Sequence, residues 1–198
     1  MVVLRAARPS RDSLSLHRRH RLSAVSVVGR DRLDDLAVRD ATRGSAVAGD
    51  LRPLRLLYCD LGGFKAINGL HGHDVGDDVL KAVAERLRAV TRSGDIVARM
   101  GDEFAILLED GGDAVAAVAR IFEAFAQPAS AGRQEIPLAA SIGIAELSPS
   151  APPVDPETFL QRADAAMYQA KRNGKNCAAM WAEEQLAPAD ELPSPVPL

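Results

Sequence analysis

Three carboxylates stand where the sequence predicts the ends of β-strands. The apolar run LRLLYCDL, residues 54–61, predicts a buried strand that carries Asp60 near its end. ARMGDEFAILL, residues 98–108, predicts two strands joined by a turn with Asp102 and Glu103 at its tip. If the two regions are neighbours in one sheet, the acids form a cluster whose mutual repulsion favours a bound cation. Mg²⁺ or Mn²⁺ suits carboxylates and commonly acts on phosphates, although three unrelated surface acids are the alternative.

Three lysines supply the opposite charge. Lys65 follows the pair Gly62-Gly63, where the backbone can approach a ligand closely. Lys171 and Lys175 lie one turn apart near the end of a predicted helix. As point charges the three lysines could bind a triphosphate. Lysines also suit the negative end of a helix dipole, so a solvated helix end is the alternative.

Polar residues on both sides of the segment GLHGHDVG, residues 69–76, could recognise a base. Asn68 offers an amide and Asp77 a carboxylate, and this pair can read the edge of a purine. The alternative is that both residues cap a loop. His71 and His73 form a His-x-His motif with no third ligand nearby in the sequence, so we interpret them as structural.

The composition is that of one soluble domain. The chain has 198 residues, 47% apolar and 26% charged, enough for a sizeable core. Its net charge of −3 neither demands nor excludes a nucleic-acid partner. Cys59 and Cys177 lack metal or redox spacing, which predicts buried thiols in a reducing compartment. With no secretory signal and no apolar run of membrane-spanning length, we expect a cytoplasmic protein without a transmembrane segment.

The two ends of the chain differ from its centre. Residues 1–30 are rich in arginine and predict a disordered leader, the alternative being an arm attracted to anionic lipid or nucleic acid. Residues 184–198 are rich in proline and predict a disordered tail. We therefore place the folded domain at residues 31–183.

Hydrophobic periodicity in this domain predicts helices and strands in alternation. The fold class that follows is α+β, an α/β sandwich with helices packed on one mixed sheet. In chain order, we expect a helix near residues 33–40, a strand at 54–61, a helix at 75–90, the hairpin, a helix around 115–125, a strand at 138–145, a helix from Asp155 to Asn173-Gly174, and a strand at 177–181.

Five ordered stretches together resemble the GGDEF domains, whose active members are diguanylate cyclases. They are LDDLAVRDATRG (33–44), YCDLGGFKAINGLHGHDVGDDVL (58–80), RSGDIVARMGDEFAILL (92–108), SIGIAEL (141–147) and ADAAMYQAKRNGKN (163–176). The resemblance covers roughly residues 33–181 and is far more specific than a lone motif. It implies a ferredoxin-like palm of the nucleotidyl cyclase type, with a mainly antiparallel sheet.

The resemblance implies a reaction and a role for each matching residue. Two GTP molecules on two facing subunits would condense to cyclic di-GMP and pyrophosphate, with Mg²⁺ or Mn²⁺ as cofactor and no nucleic acid as partner. By this resemblance, the catalytic residues are Asp102, Glu103 and Lys65, and the metal ligands are Asp60, the carbonyl of Leu61, and Asp102. The GTP-binding residues are Asn68, Asp77, Lys65, Gly101, Lys171 and Lys175. At the position of Lys175 the family more often has arginine.

The resemblance also implies an inhibitory site. Arg92-Ser93-Gly94-Asp95 matches the family's R-x-x-D motif, which binds the product cyclic di-GMP. Arg92 and Asp95 are thus candidate ligands of an allosteric site. A bare R-x-x-D motif also occurs by chance at helix ends, and that is the alternative.

The chain departs from the family pattern at its signature. The usual R-x-G-G-D-E-F is one residue shorter here, Arg99-Met100-Gly101-Asp102-Glu103-Phe104. The family's second aspartate in D-x-D is replaced by Gly62, and the entry motif is altered around residues 43–48. A deletion in a hairpin changes its turn and can change which face the next side chains use. Two further hypotheses therefore remain: a degenerate domain that senses cyclic di-GMP or GTP, and a scaffold without a ligand.

Overall fold

The computed structural model describes residues 3–5, 53–108, 112–148, 150–152 and 154–182. The predicted helix near residues 33–40, the altered entry motif at 43–48 and the Pro-rich tail lie outside these residues, as does most of the Arg-rich leader. Val3–Arg5 forms a short strand, so these three residues differ from the disordered leader expected from the sequence. In the described part of the chain, no helix is long and apolar enough to cross a membrane.

A mixed, mainly antiparallel sheet forms the centre of the domain, which confirms the predicted fold class. Its six strands lie in the order β1-β8-β7-β2-β4-β3, with only β7 and β8 parallel. A separate hairpin consists of β5 and β6. The strands are β1 Val3–Arg5, β2 Leu54–Leu61, β3 Ile96–Met100, β4 Glu103–Leu108, β5 Ala129–Ala131, β6 Gln134–Ile136, β7 Ala140–Leu147 and β8 Cys177–Met180.

Four described helices flank this sheet: α1 Phe64–His71, α2 His73–Val90, α3 Ala114–Phe125 and α4 Pro156–Arg172. Aspartates begin two of them. The carboxylate of Asp113 accepts hydrogen bonds from the first amides of α3, and that of Asp155 accepts one from Thr158 at the start of α4. Pro156 occupies the first turn of α4, where its missing N–H costs nothing. The predicted start of this helix is confirmed.

The central strand β2 is buried on both faces, which explains its continuous apolar run. Leu57 and Cys59 pack in the core beneath α2 and α3, whereas Leu56 and Tyr58 pack in the core beneath α4. Gly143 of β7 lets α4 lie directly on the sheet, because a Cβ there would collide with the backbone of Ala163 and Met167. The site-bearing strands are therefore held between two helical layers.

Several local predictions differ from the structure. The segment at residues 69–76 was expected to be a loop, but it contains the end of α1 and the start of α2, separated by Gly72 with φ of 88°. The periodicity of α1 is hard to recognise because the helix has only eight residues and includes Gly69. The β5–β6 hairpin was not predicted, and β7 begins and ends two residues later than expected.

Candidate functional site

The ends of β2 and β4 bring two of the predicted acids together. Asp60 lies directly opposite Glu103 in the antiparallel ladder, and Ser141 of β7 lies on its other side. Residues directly opposite each other point to the same face, with Cβ atoms about 5 Å apart. The predicted adjacency of the first strand and the hairpin is confirmed. Like charges at this distance repel, so each carboxylate needs a partner.

Both carboxylates have partners within the chain. Nζ of Lys171, in the last turn of α4, lies 3.0 Å from Oδ1 of Asp60. The hydroxyl of Tyr58 donates a hydrogen bond of 2.6 Å to Oε2 of Glu103. The side chains of Asp60 and Lys171 are 23% and 31% exposed, so this ion pair is partly shielded from solvent. The sequence placed Lys171 near a phosphate but did not predict its contact with Asp60.

The signature hairpin has a two-residue turn. Met100 pairs with Glu103, so Gly101 and Asp102 alone make the connection. Gly101 has a φ of 69°, whereas Asp102 is not in the left-handed region, which is the φ pattern of a type II′ turn. Nε of Arg99 donates to the carbonyl of Gly101 at 2.8 Å. Asp102 is therefore exposed at the tip of the turn and not part of the paired strand.

Beyond the shortened turn, β4 pairs regularly with β3 and packs in the core. Phe104 pairs with Arg99 and is fully buried, and the following residues of β4 are buried as well. The turn type is one that suits the twist of paired strands. The shortened hairpin is therefore well formed, with Asp102 in its turn.

Cys59 precedes Asp60 on β2 and is fully buried in the core on the other face of the strand. Burial, together with the negative charges of Asp60 and Glu103, raises the pKa of its thiol from 9.0 to about 12. Cys177 is also buried, and its thiol donates to the carbonyl of Ala170. The prediction of two buried thiols is confirmed, and a raised pKa makes Cys59 a poor nucleophile.

The predicted base-binding residues meet at the junction of α1 and α2. Asn68 of α1 lies against Gly76 of α2, where a Cβ would collide with the Asn68 amide oxygen. This oxygen, Oδ1, is buried and has no hydrogen-bond partner in the described residues. Asp77 follows Gly76 and is exposed. An unsatisfied buried acceptor is costly, which is a reason to expect a ligand donor near Asn68.

The other two lysines are exposed. Lys65 lies in the first turn of α1, after Gly63, whose φ is 79°. Lys175 follows α4 with a φ of 60°, a left-handed conformation that costs a non-glycine residue free energy. Its amide donates to the carbonyl of Ala170. Both side chains can reach solvent beside the helix ends. Their positions suit the binding of a phosphate but do not determine the geometry of that contact.

The described residues contain no preformed metal site made of protein side chains alone. Within ranges 53–108, 112–148 and 154–182, no group of three or more His, Cys, Asp or Glu side chains could hold a metal ion. Mg²⁺ is, however, commonly bound by one or two carboxylates together with substrate phosphates. Asp60, Glu103 and the Leu61 carbonyl offer suitable oxygen atoms for a cation that arrives with a nucleotide.

The R-x-x-D segment forms a turn between α2 and β3. Asp95 is only 4% exposed, and its Oδ2 accepts a hydrogen bond of 2.8 Å from the backbone N–H of Arg92. The backbone N–H of Asp95 in turn donates to the Arg92 carbonyl. The Arg92 side chain is exposed. Asp95 thus holds the turn that presents Arg92 to solvent.

Comparison with known proteins agrees with the sequence blocks and the sheet. The family described as "Diguanylate cyclase, GGDEF domain" matches residues 41–177. The chain belongs to the GGDEF family. This assignment confirms the resemblance drawn from the five sequence blocks.

Curated and solved GGDEF proteins show how much of the chain is shared. This chain is 39% identical over 167 residues to the bifunctional diguanylate cyclase/cyclic di-GMP phosphodiesterase MucR of Pseudomonas aeruginosa. The match covers 81% of this chain but only 23% of MucR. The crystal structure of the GGDEF domain of YfiN (TpbB), also from P. aeruginosa, has a TM-score of 0.71 and 32% identity, covering 80% of this chain and 99% of that domain.

A further solved relative is the active GGEEF domain of a diguanylate cyclase from Vibrio cholerae. It has a TM-score of 0.66 and 28% identity, covering 80% of this chain and 99% of that domain. Our chain thus matches complete GGDEF domains but spans about a quarter of MucR's length.

Sequence reasoning did not identify Tyr58 as a site residue. It lies two residues before Asp60 on β2, so its side chain points to the same face as that of Asp60. A hydroxyl at this spacing inside an apolar run was the available signal. Its bond to Glu103 depends on strand register, which the sequence alone does not specify.

Proposed function

We propose that this GGDEF domain is a diguanylate cyclase that condenses two GTP molecules to cyclic di-GMP and pyrophosphate. The observation that carries the proposal is the pair of opposed acids, Asp60 and Glu103, with Lys171 beside them at the open ends of β2 and β4. Carboxylates and a lysine together suit a nucleotide triphosphate and its cation. Family membership supplies the reaction.

The reaction is two identical phosphoryl transfers. In each, the 3′-oxygen of one GTP forms a bond to the α-phosphorus of the other, the bond to the β-phosphate oxygen breaks, and pyrophosphate leaves. Glu103 would accept the proton of the 3′-hydroxyl or assist cation binding. Asp60, the Leu61 carbonyl and Asp102 would hold Mg²⁺ or Mn²⁺, which supplies charge neutralisation at the phosphates.

The remaining site residues would bind and orient GTP. Asn68 and Asp77 would hold the guanine, and the buried Oδ1 of Asn68 would gain a donor from the base. Lys65, Lys171 and Lys175 would bind the triphosphate as point charges, and Gly101 would let the turn approach it. Holding both reactants in place accounts for much of the acceleration in reactions of this kind.

Two subunits must face each other for this reaction, so we propose a homodimer in the active state. Cyclic di-GMP would inhibit by binding at Arg92 and Asp95, and Asp95 also holds the turn through its bond from the Arg92 amide. We place the domain at residues 31–183, between an Arg-rich leader and a Pro-rich tail, and in the cytoplasm. The proposal concerns the activity of this domain alone, because the chain spans only part of relatives such as MucR.

The test is product analysis. The purified protein is incubated with GTP and Mg²⁺ or Mn²⁺ over a range of protein concentrations, and the products are separated by chromatography. We expect cyclic di-GMP, with a specific rate that rises with protein concentration because two subunits must meet. Asp102→Ala and Glu103→Gln are the matched controls. Absence of cyclic di-GMP at every protein concentration would overturn the cyclase proposal.

A degenerate sensing domain is the second candidate, and the hairpin favours it. Asp102 occupies the two-residue turn and is exposed, so it lies outside the paired strands that carry Asp60 and Glu103. Insertion of one glycine beside Gly101 restores the family signature and separates the candidates. If the turn limits catalysis, the insertion raises the rate; if the domain is a sensor, the native protein binds GTP or cyclic di-GMP in calorimetry without turning GTP over.

A further inference from the structure

Tyr58 connects the α4 core to the candidate site. Tyr58 is 8% exposed and belongs to the same core cluster as Leu56, Phe159 and Met167, whereas its hydroxyl reaches Glu103 at the start of β4. The residue opposite Tyr58 on β4 is Ala105, whose methyl group leaves room for the phenol to pass. Glu103 lies two residues from Ala105 on the same face, a diagonal neighbour within reach of an aromatic side chain.

The hydrogen bond that results is short and charge-assisted. The Tyr58 hydroxyl donates to Oε2 of Glu103 at 2.6 Å, a distance typical of an O–H donor bound to a carboxylate. The rigid ring fixes the donor, so the carboxylate is fixed as well. This bond uses one acceptor position of Oε2 and leaves the carboxylate able to accept further contacts from a ligand.

A second anchor acts on the opposed acid. Lys171 holds Asp60 from α4, and Tyr58 holds Glu103 from β2, so the two carboxylates are oriented by different elements. Without such anchors, opposed carboxylates would rotate apart to reduce their repulsion. The arrangement keeps both acids at the strand ends before any ligand binds.

We propose that Tyr58 is a positioning residue that orients the Glu103 carboxylate for the nucleotide and its cation. The proposal rests on the proposed cyclase function for its rate measurement, but not for its binding measurement. Tyr58 acts through Glu103 and does not touch the substrate. A purely structural tyrosine, in contrast, would contribute to stability alone.

The variant that tests this is Tyr58→Phe, which keeps the ring in the core and removes the hydroxyl. Tyr168→Phe is the matched control, because Tyr168 is 60% exposed on α4. We expect Tyr58→Phe to lower kcat about tenfold, in line with the loss of one charge-assisted hydrogen bond. KM for GTP should rise when Mn²⁺ is limiting, because Glu103 would help to hold the cation that binds with the nucleotide, and Tyr168→Phe should match wild type.

A double-mutant cycle with Glu103→Gln separates positioning from stability. If Tyr58 acts through Glu103, adding Tyr58→Phe to Glu103→Gln causes little further loss. An equal loss in both backgrounds would overturn the proposal, as would a Tyr58→Phe variant with wild-type kcat. Thermal unfolding of each variant checks that the fold is retained.

The same cycle can be measured by binding. Calorimetry with Mn²⁺ and a GTP analogue whose α–β bridge cannot be cleaved needs no turnover. Suppose that wild type makes no cyclic di-GMP, and that Tyr58→Phe weakens Mn²⁺-dependent binding of the analogue when Glu103 is present but not in Glu103→Gln. The cyclase proposal then fails and the role of Tyr58 stands. Equal affinity in wild type and Tyr58→Phe, or no Mn²⁺-dependent binding by wild type, overturns the role of Tyr58.

Discussion

Lys171 forms an ion pair with Asp60, with 3.0 Å between Nζ and Oδ1. This contact joins the last turn of α4 to the end of β2 and keeps Asp60 compatible with Glu103 opposite. Both partners are proposed to contact GTP and its cation, so binding would exchange this internal pair for contacts to the ligand.

Lys171→Met should lower both stability and GTP affinity. Asp60 would lose its counter-ion beside Glu103, and for a partly shielded pair we expect a loss of about 1 kcal/mol in the free energy of unfolding. Lys171→Arg keeps the charge and should retain most of this stability. Urea denaturation at low and high salt measures the effect; unchanged stability in Lys171→Met would show that the ion pair contributes nothing.

Lys175→Gly should separate stability from binding. Lys175 has a φ of 60°, which glycine adopts without strain, so we expect the variant to be as stable as wild type or about 0.5 kcal/mol more stable. GTP binding should weaken, because one phosphate-binding charge is lost. Thermal unfolding and GTP calorimetry are the measurements. Unchanged GTP affinity would remove Lys175 from the proposed site.

Substitutions in the R-x-x-D turn should have distinct effects. Asp95→Ala removes a buried acceptor of the Arg92 amide and should cost about 2 kcal/mol of stability, whereas Asp95→Asn keeps an acceptor and should cost less. Arg92→Ala should leave stability unchanged and weaken cyclic di-GMP binding at least about tenfold. If calorimetry gives equal affinities for wild type and Arg92→Ala, the inhibitory-site proposal is wrong.

The buried thiol of Cys59 should make the domain less stable at high pH. Its folded pKa is about 12 against 9.0 for the ordinary thiol, so above pH 9 the unfolded chain loses a proton that the folded chain keeps. The free energy of unfolding should therefore fall by about 1.4 kcal/mol per pH unit between pH 9 and 12 from this group. Denaturation of wild type and Cys59→Ala across this range isolates the effect. Parallel curves would contradict it.

Gly143 should be essential to the packing of α4, whereas Gly69 should not. A Cβ at Gly143 would collide with the Ala163 carbonyl and the Met167 amide, so Gly143→Ala should cost more than about 3 kcal/mol. Gly69 lies exposed within α1, and its Cβ would meet nothing within 4 Å in the described residues. Gly69→Ala should stabilise the domain by about 0.5 kcal/mol through helix propensity. Equal thermal stability in both variants would contradict this account.

The sequence by itself determined the family and most of the order of strands and helices, and it predicted which acids and lysines form the site. These follow from local patterns: the apolar run before Asp60, the Asp155-Pro156 helix start, and five motif blocks in order. Short elements such as α1 and the β5–β6 hairpin were missed, because eight and three residues give too little periodicity to recognise.

Only the tertiary structure decided how the site is held together. The partnership of Asp60 with Lys171 spans residues far apart in the chain and depends on how α4 packs over Gly143. The bond from Tyr58 to Glu103 depends on the register of β2 against β4, and a shift of one residue would turn these side chains to opposite faces. The two-residue turn that contains Asp102 follows from the register of β3 against β4, because strand pairing fixes which residues remain to make the connection.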